Sequence, residues 1–96
     1  MRNVTAIELA RVRRDIRQHV ERGGPIVHPS DAALVEAGVQ QIDVVQMLCK
    51  CAVVDGDGRL YGMEGQVDGV ERELMVWVDR CEHGNIVRVY VMKIWR

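Results

Sequence analysis

Two groups of side chains have the types and spacing that chemistry requires. Cys49-Lys50-Cys51 and Cys81-Glu82-His83 offer thiols and an imidazole, a zinc-type ligand set by kind. Arg59, Tyr61, Arg72, Arg88, Tyr90 and Lys93 offer cations to hold a scissile phosphate and phenols to move a 2′-hydroxyl proton. Metal-independent RNA cleavage needs little more than that.

Each group is weakened by the elements that must position it. Four apolar runs fill the second half of the chain: Cys51–Asp55, Arg59–Asp68, Glu71–Arg80 and Asn85–Trp95. Asp55-Gly56-Asp57-Gly58, Asp68-Gly69 and His83-Gly84 separate them, and Asp-Gly between alternating apolar runs signals a hairpin. In the resulting meander Cys51 begins the first long strand and Cys81 ends the third. At ~3.3 Å per residue these ends lie on the order of 15–20 Å apart, whereas zinc ligands sit within ~2.3 Å of one ion. No metal or cofactor is therefore expected. RNA would be repelled by Asp55, Asp57, Glu64, Asp68, Glu71 and Glu73 on the same strands and loops. His19, His28 and His83 pair with no visible carboxylate and nucleophile, and no glycine-rich loop follows a strand in the phosphate-binding pattern. No catalytic residue is expected; if the chain cleaves RNA, Arg59, Tyr61, Arg88 and Tyr90 are the candidates.

The first half reads as helices. Thr5-Ala6-Ile7-Glu8 is a capping box with Val4 and Leu9 at staple positions, and Leu9, Val12, Ile16 and Val20 form one apolar stripe. Gly23-Gly24-Pro25 stops that helix. Ile26-Val27-His28 is β-prone. Ser30 caps a short helix that ends at Gly38, and a second covers Gln41–Lys50 with Ile42, Val45, Leu48 and Cys49 on its apolar stripe. The expected architecture is α+β and one domain over 1–96: an N-terminal helix (1–24), a short strand and helix pair (25–50), then a sheet of three to four antiparallel strands (51–96) with the helices on one face.

Composition narrows the role. The formal charge is −1, from 13 basic and 14 acidic side chains, which argues against a dedicated nucleic-acid binder. An odd cysteine count makes no disulfide framework. No secretory leader is legible and no apolar run approaches the ~18 residues that span a bilayer, so a cytoplasmic location without a membrane partner is expected. Alternation puts Leu74, Val76 and Val78, with Val87, Val89 and Val91, on the helix-covered face. Met75, Trp77, Arg88, Tyr90, Met92 and Ile94 then face away. Trp, Tyr, Met and Arg are the types enriched at interface cores, so Met75, Trp77, Arg88, Tyr90 and Met92 are the expected contact surface for a protein partner or a second copy. The competing expectation folds the N-terminal helix across that face.

The chain also resembles a known family. The run His28-Pro29-Ser30-Asp31-Ala32-Ala33-Leu34-Val35-Glu36-Ala37-Gly38-Val39, then Asp43-Val44 and Leu48, is followed by Val53-Val54-Asp55, Arg59-Leu60-Tyr61, Glu64-Gly65-Gln66-Val67-Asp68-Gly69 and the closing valine strand. In order and spacing, Pro25 to Ile94 is similar to a bacterial domain-of-unknown-function family allied in fold to the RelE/ParE toxins. The resemblance implies a RelE/ParE-like fold and a setting of toxins, phage defence or mobile elements. It also implies, as the alternative activity, a RelE-like RNA endonuclease or a degenerate relative. Ala33 or Leu34, and Ala37, stand where the family carries arginines, so the resemblance implies the fold more than the activity.

Overall fold

The computed structural model describes residues 5–95. Helix α1 spans Ala6–Glu21, and the Thr5 hydroxyl accepts a hydrogen bond from the Glu8 backbone N–H at 3.2 Å. Val4, the expected staple residue, lies outside the described residues. The stripe forms as its spacing requires: Val12 and Ile16 are buried, and Leu9 and Val20 pack against them. His19 joins the buried side, its Nε2 lying 2.8 Å from the Pro25 carbonyl oxygen. Gly24 lies against that ring; a Cβ there would stand 2.3 Å from it.

Strand β1 (Ile26–Val27) follows, then helix α2 (Asp31–Ala37), capped by Ser30 Oγ accepting from Ala33 N and stopped by Gly38 at φ 72°. Helix α3 spans Gln41–Lys50. Its buried side is Val44, Met47 and Leu48; of the expected stripe Leu48 is buried, Val45 and Cys49 are half-buried and Ile42 is 60% exposed. The cause lies at its end: Cys51, fully buried, enters the sheet directly, and residues three and four apart share a helix face, so Met47 and Val44 turn inward beneath it.

Strands β2 (Ala52–Gly56), β3 (Leu60–Val67), β4 (Val70–Arg80) and β5 (Ile86–Trp95) complete the sheet. Asp68 and Gly69, at φ 53° and 77°, close the two-residue β3–β4 hairpin in the left-handed conformation that right-twisted strands need. The order is β1-β5-β4-β3-β2. The sheet is thus five-stranded and mixed, where three to four antiparallel strands were expected. The difference is β1, which pairs in parallel with β5 (Ile26 with Val89) and receives a hydrogen bond from Val89 N at the Pro25 carbonyl.

One face is aliphatic. Val53, Tyr61, Met63, Val67, Leu74, Val76, Val78, Ile86, Val89 and Val91 are buried there with the helix residues. Helix α1 packs on β2 and β5, α3 on β3 and α2 on β5. Strand β5 departs from simple alternation at two places. Register shifts between Asp79 and Arg80, and between Met75 and Val76, leave Val87 and Met92 as extra residues. Each bulge flips the phase of the residues beyond it. Val87, expected inside, is therefore 42% exposed, while Ile94, expected outside, packs against the core opposite Leu74.

Candidate functional site

The alternate residues of β3, β4 and β5 make the other face. Register sets them in rows: Glu64–Glu73–Trp95, Gly62–Met75–Lys93, Leu60–Trp77–Tyr90, then Asp79–Arg88. No helix crosses these rows among the described residues, because α1 spends its apolar stripe on the aliphatic core through Val12 and Ile16. The expectation that the N-terminal helix covers Trp77 is corrected by that placement. Trp77 is 36% and Met92 55% exposed, and Met75, Tyr90, Leu60 and Trp95 are half-buried.

Cations lie over the rings. The Arg59 guanidinium stands 6.0 Å from the Trp77 ring centre, Arg88 5.9 Å from Tyr90 and Lys93 Nζ 4.9 Å from Trp95. Arg88 Nη1 also donates to the Tyr90 hydroxyl at 3.2 Å, and that bond favours the charged guanidinium. Arg59 is aimed by its turn: Asp57 Oδ1 accepts from the Arg59 and Leu60 backbone N–H groups at 3.1 and 2.9 Å. These two bonds, Leu60's the stronger, hold the Asp57 carboxyl below the usual range.

Beside this aromatic ridge lies a groove of about 670 Å³. Gly62, Leu60, Met75 and Trp95 line it from the open face, and Leu9 of α1 and Tyr61, Met63 and Leu74 of the strands line it too. Asp55, Asp57, Glu64 and Glu73 supply carboxylates. Asp55 Oδ1 accepts from Gly62 N at 3.1 Å and occupies the place a Cβ would take.

The residues singled out for contact, Met75, Trp77, Arg88, Tyr90 and Met92, thus share one open face. Trp95 belongs to it and sequence reasoning missed it, since the second bulge hid its phase. The residues singled out for RNA cleavage do not assemble. Arg59, Arg88 and Tyr90 lie on the open side, but Tyr61 is 3% exposed within the aliphatic core, on the opposite side of the sheet.

The remaining reactive groups are dispersed. Cys49, Cys51 and Cys81 are free thiols. Burial pushes the Cys51 thiol up against a smaller opposing pull from Arg13, and pushes Cys49 up with help from Glu21, so neither is poised as a thiolate. Among the described residues no three His, Cys, Asp or Glu side chains stand together as a metal site, and no helix is long and apolar enough to cross a membrane. No family model, curated protein or solved structure matches this chain.

Proposed function

We propose that this chain is a small non-enzymatic protein-binding module that works through the open face of β3, β4 and β5. The single observation behind it is the segregation of the sheet. All three helices pack on the aliphatic side, while Met75, Trp77, Tyr90, Met92 and Trp95 lie together on the other side with cations over the rings. Exposed apolar residues scattered singly need no explanation, but a contiguous aromatic and thioether patch rimmed by charge marks a contact surface. Rigid aromatic side chains, held here on strands, deliver large contact area at small conformational cost. The partner is a second copy or a protein of a toxin, phage-defence or mobile-element system, the setting that the RelE/ParE-like resemblance implies.

The test compares faces. Tagged protein is recovered from its native host with one stoichiometric protein, this chain's second copy included. Trp77→Glu and Met92→Glu abolish that recovery with the far-ultraviolet circular dichroism unchanged. Val35→Glu, at a 79% exposed position on α2, leaves it intact. Recovery that survives Trp77→Glu and Met92→Glu overturns the reading.

A further inference from the structure

We infer that the occupant of the open face is a second copy of this chain, docked face to face about a two-fold axis. The inference rests on the proposal that this face is an interface. Its two ends are complementary. Glu64, Glu71 and Glu73 mark one end, with the groove that Gly62 and Asp55 line beside them. The Trp77–Tyr90 ridge with Arg59 and Arg88 marks the other, where Asp79 is the opposing carboxylate and pairs in register with Arg88.

A two-fold axis lying across the strands exchanges these ends. The ridge of one copy then lies over the groove of the other, twice, by symmetry. The ridge brings a guanidinium over an indole, and the groove presents apolar walls with four carboxylates. Carboxylates outnumber cations at the groove end, where Lys93 over Trp95 is the opposing cation, and cations outnumber carboxylates at the ridge, so the two ends are opposite in balance, which is the self-complementarity an isologous contact requires.

Area sets the strength. From Glu71 to Asp79 at ~3.4 Å per residue, over strands ~4.8 Å apart, the face measures roughly 27 by 15 Å, on the order of 400–500 Å² per copy. The total of about 900 Å² falls below the ~1,200 Å² of stable complexes, so the dimer is reversible and weak. Nucleic acid is disfavoured as occupant: stacking rings would suit single strands, but Glu64, Glu71, Glu73 and Asp79 run along the same face and oppose a phosphate backbone.

Sedimentation equilibrium of the intact chain tests this, over about 10 μM to 0.5 mM, a range that resolves a midpoint of tens of micromolar. The wild type dimerises within it. Arg59→Glu with Arg88→Glu weakens dimerisation by about tenfold or more, and so does Glu64→Arg with Glu73→Arg. An equimolar mixture of the two double variants, one carrying acid at both ends and the other base at both, recovers the wild-type association. Circular dichroism confirms that each is folded. A wild type monomeric at 0.5 mM, an association indifferent to both reversals, or a mixture that fails to recover it overturns the second-copy inference. So does single-stranded RNA bound by the wild type and released by Trp77→Glu. A monomeric wild type that still loses a host protein on Trp77→Glu leaves the face as an interface and removes only the second copy. Loss of neither removes both.

Discussion

The two faces of the sheet are built from the same strands and differ in everything else. Leu74 is fully buried and Met75, its neighbour, lies on the open face; Val76 is fully buried and Trp77 is 36% exposed. On the inner face aliphatic side chains close against three helices. On the outer face rings, thioethers and cations lie under no helix that crosses the rows among the described residues, while Ala33 and Glu36 of α2 border Met92 and Trp95. Burial and exposure are thus divided at the spacing of single residues along β4. The sharpest test is the adjacent pair. Leu74→Ala removes buried volume and costs about 2–5 kcal/mol of unfolding free energy. Met75→Ala or Trp77→Ala loses only cross-strand contact on an open surface, within about 1 kcal/mol. Urea unfolding measures both, and equal costs on the two faces would break the comparison.

The inner face is also clamped at its rim. Gly24 lies against the His19 ring, which is 3% exposed and is held at the Pro25 carbonyl. Gly24→Ala drives a methyl into that ring, which cannot swing away without losing its hydrogen bond. The expected loss is about 1–3 kcal/mol by urea unfolding, as for overpacking elsewhere. Association through the outer face is expected to stay unchanged wherever the variant is folded. The bulges of β5 supply a finer test. Val89→Thr buries a hydroxyl in an aliphatic setting and costs about 1–2 kcal/mol. Val87→Thr, two residues away and outside, stays within about 0.5 kcal/mol. A strict alternation of valines predicts equal costs, so thermal midpoints of the pair decide whether the bulge sets the face.

Much of this division was legible in the residues. Asp-Gly at 68–69, Ser30, Gly38 and the α1 stripe act locally, through turn geometry and capping, and local physics can be read from local sequence. Alternation in β4 placed Leu74, Val76 and Val78 inside for the same reason. What was not legible depends on partners distant in the chain. Ile26-Val27 is too short to announce a parallel pairing with β5 across some sixty residues. The phase of β5 is set by extra residues at Val87 and Met92, and a bulge leaves no mark in a run of valines. The turn of α3 is fixed by the burial of Cys51, and not by its own apolar count. The site shared this pattern: Met75 and Trp77 followed from alternation, whereas Trp95 and the groove that Gly62 lines came from register. Tyr61, grouped by type with Arg59, Arg88 and Tyr90, went to the other side by that same alternation.

The smallest expected effect sharpens the comparison by pH. Asp57 is exposed and contributes through the turn that joins β2 to β3, where its carboxylate accepts from the Leu60 and Arg59 backbone N–H groups. Those bonds lower its pKa in the folded chain relative to the unfolded one. A lowered folded value means that the stabilisation is fully present above the ordinary carboxylate range and is lost as pH falls through the folded value. Asp57→Asn keeps an acceptor at the same place and removes the charge. The thermal midpoint of the wild type should therefore exceed that of Asp57→Asn at neutral pH, and the gap should close on acidification below the carboxylate range. A gap that is constant or widens in acid shows that charge does not hold the turn. The Leu74→Ala deficit should not follow this trend, since no titrating group replaces or faces the lost methyls. The same turn carries Arg59, which stands over Trp77, so a pH-dependent loosening here reaches the outer face. Acid should loosen this turn before it touches the aliphatic core.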